Sequence, residues 1–323
     1  MIVALGLLVA MLVVGFGAPR YLSVTVAPGL HPRLALAAWT SSMTLVLAAL
    51  IAAPVSMLTR PGRTTFGAAH MCLQRLREDG TLPWLPAAQV AATAALGGLA
   101  LFVLVSVTRR LHARRASVHR LLLELDLLAH ARTAHRGFAV LWVDADEPVC
   151  YSVGGARPTI IASGHIDRLP AAERAAVLDH EAAHLLGRHH ALVALAEAAA
   201  AALPFIPLFA RAPDAVRTLV EFSADNRAAQ SNGADTVGAA LLTVHDFAAG
   251  TPHSPPVAGL ALSRDAVAAR LCWLGACPGR DHRRWAAADY PLAVTVAAVP
   301  VVLSVASALC AAAIVCLRLS ARA

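Results

Sequence analysis

The stretch Asp179-His180-Glu181-Ala182-Ala183-His184, continued by Leu185-Leu186-Gly187-Arg188-His189-His190, decides how the rest of the chain is read. On a helix, His180 and His184 lie one turn apart on one face, so both imidazoles reach a single Zn²⁺. Glu181 beside them is placed to take a proton from water at the metal. The competing reading is an ordinary polar helix face, and the surroundings of the motif oppose it. Upstream, Phe138–Val143, Val149–Val153 and Thr159–Ala162 are short runs rich in β-branched or aromatic residues, broken by Asp, Pro and Gly-Gly turn signals. They predict a small sheet, with Thr159–Ala162 as the candidate edge strand for an extended substrate. Pro170 then favours a helix start, and Ala176, Val177, Leu185 and Leu186 continue at helical spacing to Gly187. A second helix is predicted from Pro213 to Gln230, stopping at Asn232-Gly233.

A third ligand separates two types of site. His190 completes H-E-x-x-H-x-x-G-x-x-H, with Gly187 allowing the turn, as in metzincins. Those proteins carry a Met-turn after the motif, whereas all five Met here, ending with Met71, precede it. Glu221, within Glu221-Phe222-Ser223-Ala224-Asp225 on the second predicted helix, is the favoured candidate. Asp225 lies one turn further on, where a carboxylate can accept the free N–H of a ligand His and fix its tautomer. The expected site is thus His180, His184 and Glu221 on the metal, Glu181 as catalytic base and Asp225 behind the ligands.

Composition places this site in a membrane protein. Of 323 residues, 58% are hydrophobic and 15% charged, against about 25% charged in a soluble domain. This excludes a disordered chain, a disulfide scaffold and a fully water-soluble globule. Four apolar runs, at residues 2–18, 34–58, 86–108 and 292–317, approach or exceed the roughly 20 residues needed to cross a bilayer. Residues 1–108 are therefore read as three transmembrane helices, 109–290 as the metal domain, and 291–323 as a fourth span with a short tail. The first run lacks the basic start of a signal peptide and is read as retained. The run 191–210 is also apolar, but a single crossing there would separate Glu221 from His180 and His184. It is read as buried in the domain or lying on the bilayer surface, with a re-entrant hairpin as the lesser alternative.

The net charge of +7 is carried without a single Lys. Arg109, Arg110, Arg114, Arg115 and Arg120 directly follow the third run, as expected of cytoplasmic flanking charge, so no direct nucleic-acid binding is expected. The Arg balance predicts a cytoplasmic domain in the cell membrane with both termini outside. Six Cys show neither disulfide nor zinc spacing and are read as reduced and structural.

With these residues in place, the chain resembles the BlaR/MecR-type membrane zinc metallopeptidases, an antirepressor family related to HtpX and the CAAX prenyl proteases. The resemblance is carried by the apolar spans, the Gly-Gly-Ala-Arg-Pro-Thr-Ile-Ile stretch (Gly154–Ile161), the helix into His180-Glu181-Ala-Ala-His184, Pro-Phe-Ile-Pro (Pro204–Pro207), and Glu221–Asp225. It implies an α-helical membrane protein with an inserted α+β zincin-like (gluzincin) metalloprotease domain. One Zn²⁺ would be held by His180, His184 and Glu221, and His189 matches a position often polar or His. The implied activity is hydrolysis of a cytoplasmic protein, with a BlaI/MecI-type transcriptional repressor as substrate and partner. HtpX-like membrane-protein quality control and a non-catalytic metal-binding signalling protein are the alternatives, and a homo-oligomer is compatible with each. His253, before Pro255-Pro256, and Arg270 loosely match a downstream segment that contacts the oxyanion or substrate in the prenyl-protease group. The departure is at the C-terminus: Arg318–Ala323 alone follow the fourth run, so the penicillin-binding sensor of the best-known members is expected to be absent.

Overall fold

The computed structural model describes residues 2–26, 31–58, 65–78, 84–146, 148–249 and 264–275. Helix α1 (Ile2–Leu12) runs through a π-helical turn (Val13–Gly17) into α2 (Ala18–Val26), followed by α3 (Pro32–Leu58), α4 (Thr65–Glu78) and α5 (Trp84–Leu128). Gly6–Ser23, Pro32–Leu58 and Pro86–Leu128 are long and apolar enough to cross a membrane. The first helical stretch runs past the expected end at Ala18, and α4 lies between the second and third apolar runs. The fourth expected span lies outside the described residues, as does His253.

Helix α5 has 45 residues, about 68 Å at 1.5 Å per residue, more than twice the roughly 30 Å hydrocarbon core. No Gly or Pro occurs between Gly98 and Gly137 to end it. The expected boundary at residue 108 is therefore no break, and the helix carries the Arg cluster onward into the metal domain.

There β1 (Ala129–His135), β2 (Phe138–Val143), β3 (Cys150–Val153) and β4 (Thr159–Ser163) form one sheet in the order β1-β2-β4-β3. β2 and β4 are parallel and the outer pairs antiparallel. The expectation that Thr159–Ala162 is an edge is corrected: β4 lies between β2 and β3, and all five of its residues are buried, as suits an inner strand. β3 is the edge that packs against the helix carrying His180 and His184. Strand β1 was not expected, since Ala-His-Ala-Arg-Thr-Ala-His has no apolar alternation. Its pairing follows from Arg136-Gly137, whose φ values of 50° and 85° suit a two-residue hairpin turn.

Helices α6 (Gly164–Asp167), α7 (Ala171–Leu186), α8 (His189–Ala202), α9 (Pro207–Asn232), α10 (Ala234–Ala249) and α11 (Arg264–Trp273) complete the described chain. Helix α9 starts at Pro207, ahead of the expected Pro213, which it carries inside. The sheet is a middle layer. Val140, Trp142, Ile160 and Ala162 pack on Leu178, Ala182 and Leu185 of α7, while Leu141, Val143 and Ile161 pack on Val118, Leu122 and Leu125 of α5. Alternation along a strand sends neighbours to opposite faces, and burial of each Ile is worth about 1.5–3 kcal/mol.

Residues 191–210 form no crossing. Helix α8 and the start of α9 make a hairpin turning at 203–206, with Ala199, Ala202, Ile206 and Phe209 buried in one core with Val14, Trp39 and Val103 of the apolar helices. At Gly15, within the first candidate span, a Cβ would lie 2.9 Å from Ile206 Cγ2. Close approach here needs glycine. The one acid in α8, Glu197, is held by Arg114 of α5 and by Arg217 of α9 at 2.6 Å. One cysteine expectation fails as well, because Cys272 is disulfide-bonded, whereas Cys72 and Cys150 are free.

Candidate metal centre

Helix α7 starts after Pro170, whose ψ of 141° leaves it outside the helix, and carries Glu173 in its first turn, where the helix dipole favours an acid. One face of α7 presents His180 and His184, and α9, packed against it, presents Glu221 and Asp225 one turn apart. Three side chains converge. His180 Nε2 lies 3.1 Å from His184 Nε2, 3.4 Å from Glu221 Oε2, and His184 Nε2 lies 3.2 Å from Glu221 Oε1. His184 and Glu221 are buried, and these three residues form a group able to hold a metal ion, with one ligand atom from each within 4.8 Å of the others.

The donor chemistry fits a cation. Glu221 Oε1 is buried and makes no hydrogen bond among the described residues, and the nitrogen 3.2 Å from it is His184 Nε2, itself a candidate ligand. Behind the ligands, His180 Nδ1 lies 3.0 Å from Asp225 Oδ1. With one proton held on Nδ1 by Asp225, loss of the other leaves the lone pair of Nε2 turned toward Glu221 and His184. Burial alone would depress His180, but hydrogen bonds to Asp225 and Glu221 prevail and raise its pKa to about 10. Burial likewise opposes ionisation of Glu221 and Asp225, yet both are held below the usual carboxylate range. His184 dominates at Glu221 and Arg270 at Asp225.

Arg270, from α11, supplies the balancing charge. Its Nε and Nη2 donate to Asp225 at 2.7 and 2.6 Å, and Nη1 lies 3.2 Å from Glu221 Oε2. The structure therefore places it against the carboxylates, where it orients Asp225 and Glu221. Glu181 is half-buried and makes no hydrogen bond or ion pair among the described residues.

His184 has its own support. Its Nδ1 lies 3.1 Å from His189 Nδ1. Burial and His184 push His189 down to about 3, so it stays neutral and can accept the Nδ1–H of His184, freeing His184 Nε2 for a metal. Gly187 makes this possible in a way the sequence reading misassigned. Its φ of −79° is ordinary, and the left-handed residue of the turn is Arg188 at φ 51°. The requirement at 187 is space, since a Cβ there would lie 2.2 Å from His189 Nε2. His190 is directed elsewhere, with Nε2 3.0 Å from Ser152 Oγ on β3, and it is not among the converging ligands.

A clamp that sequence reasoning missed steadies the helix one residue earlier. Asp179, on α7, accepts from His135 at 2.6 Å, from Arg136 at 2.8 Å through two nitrogens, and from Asn232 at 2.9 Å. Burial opposes its charge, but these donors hold its pKa at about 2. The available signal was the Arg136-Gly137 turn, which delivers a guanidinium to the acid preceding His180. No family model, curated protein or solved structure matches this chain.

Proposed function

We propose that the chain is a membrane-anchored zinc metalloendopeptidase. The observation that carries this reading is the convergence of His180 Nε2, His184 Nε2 and the carboxylate of Glu221, whose buried Oε1 has no hydrogen bond among the described residues. Two imidazoles and one carboxylate form the donor set of catalytic zinc, with a further position left for water or substrate. When bound, the ion supplies Lewis acidity that polarises a scissile carbonyl and acidifies water. Glu181, next to His180 and without a hydrogen bond among the described residues, takes the proton and returns it to the leaving amine. Asp225, Arg270 and His189 fix the tautomers and orientation of the ligands. β3, the sheet edge against α7, is suited to receive an extended peptide by strand addition.

The family resemblance extends this reading to a cytoplasmic BlaI/MecI-type repressor, cleaved between its DNA-binding and dimerising parts. Separating them removes the bivalent grip on two half-sites and lifts repression. The decisive experiment compares wild type with Glu181→Gln after purification and after co-expression with the repressor encoded nearest the gene. Equal zinc content, with repressor fragments from wild type alone, is the expected result. Zinc-free wild type would overturn the metal reading. An intact repressor beside degraded misfolded membrane proteins would replace the substrate assignment with quality control, and a cellular effect unchanged by Glu181→Gln would identify a metal-binding signalling protein.

A further inference from the structure

A cleft of about 400 Å³ opens where the metal domain meets the start of α3, within the range of small-molecule sites. Arg33, Leu36, Ala37 and Thr40 line it from one face of α3, at the i, i+3, i+4, i+7 spacing of neighbours on a helix. The facing wall includes Leu186, Leu192, Ser223 and Arg227 from α7, α8 and α9. Its character is split between apolar side chains and two cations. Arg33 and Arg227 are both exposed, and neither guanidinium has an ion-pair partner among the described residues. Ser223 adds a hydroxyl to this wall that makes no hydrogen bond among the described residues.

The cleft's place selects the ligand. Arg33 is in the first turn of a helix able to cross a bilayer, so the cleft lies at a membrane-facing end of that helix, where headgroups are found. A free soluble anion would satisfy the guanidiniums and leave Leu186 and Leu192 against water. An anionic phospholipid satisfies both, with its phosphate between Arg33 and Arg227 and its glycerol and first acyl carbons on the leucines. We infer that this cleft is a binding site for one anionic phospholipid. Its wall also includes Ala183 and His189, and His189 holds the imidazole of His184, so the lipid sits against the support of the metal centre. The lipid assignment stands on the cleft alone and does not require peptidase activity.

The test is native mass spectrometry of the full chain in detergent, titrated with phosphatidylglycerol or phosphatidylcholine. Wild type should retain one phosphatidylglycerol in preference to phosphatidylcholine. Arg33→Gln and Arg227→Gln should each weaken retention about five-fold, the order expected for one basic side chain at an anionic headgroup. Arg20→Gln, outside the cleft, should leave it unchanged. Millimolar inorganic phosphate should not displace the lipid. Equal retention of both lipids, insensitivity to both cleft substitutions, an equal loss with Arg20→Gln, or full displacement by phosphate would each overturn the proposal. Zinc content measured on the same samples keeps this outcome separate from that of the metal reading.

Discussion

His180 answers two demands with one ring: Nδ1 faces Asp225 and Nε2 faces the other candidate ligands. Its pKa of about 10 without metal means that it is charged at neutral pH. Because the folded value lies above the ordinary 6.5, its stabilising contribution is complete below about pH 6.5 and is lost as pH rises through about 10. A metal must displace that proton, so affinity should rise by about tenfold per unit between roughly pH 7 and 9. Calorimetry in buffers of different ionisation enthalpy should show close to one proton released at pH 8, and a heat independent of buffer would refute the assignment. Glu221→Ala should lose the metal, while His190→Ala, whose ring is bonded to Ser152, should retain it. Arg270→Gln leaves Asp225 with less compensation and should weaken metal affinity about 10 to 100-fold, as changes behind ligands do. His180, Glu181 and His184 were legible because their chemistry fixes their spacing, and Glu221 and Asp225 because they repeat one helical turn. The pairing of Arg270 with both carboxylates was not legible, since α11 reaches them only through the tertiary fold.

Among the elements, the sheet and α7 were legible from local pattern, but their relations were not. The apolar runs of β2 and β4 announce burial on two faces without saying that α5 supplies one of the covers. β1 is defined by its turn, and the Arg of that turn ties the hairpin to Asp179 on α7. Asp179→Asn should therefore cost about 2 kcal/mol by leaving His135 and Arg136 facing a neutral amide, measured as a shift in denaturation midpoint. With a folded pKa near 2 against an ordinary 3.8, the acid's contribution is present above about pH 3.8 and lost as pH falls through about 2. Gly187→Ala tests the α7–α8 junction. The added methyl must move His189, so metal affinity should fall while helix content by circular dichroism stays constant. Unchanged metal affinity would mean that His189 does not govern His184.

At the scale of the whole molecule, hydropathy revealed three apolar helices but not that α5 continues as a strut under the sheet, because hydropathy falls at the Arg cluster while Arg, Leu and Ala still favour helix in water. The strut ties the candidate metal group to its own C-terminal end, and so to the same side of any membrane it crosses, since Arg114 is paired with Glu197 of α8. Two physical arguments now disagree about that side. The Arg cluster after the third apolar run favours the cytoplasm, whereas the disulfide at Cys272 favours an oxidising compartment. Charge acts when the helices insert and so governs orientation, while a disulfide only records the redox conditions met afterwards. The cytoplasmic orientation is therefore expected to hold. In intact cells, with Cys72 and Cys150 replaced by Ser, a membrane-impermeant maleimide should label Arg77→Cys on α4 and reach Arg115→Cys on α5 only after permeabilisation. Alkylation before lysis, followed by reduction, reports whether the Cys272 disulfide is formed in the cell. External labelling at Arg115→Cys with Cys272 protected would place the metal centre outside and move its substrate to the cell envelope.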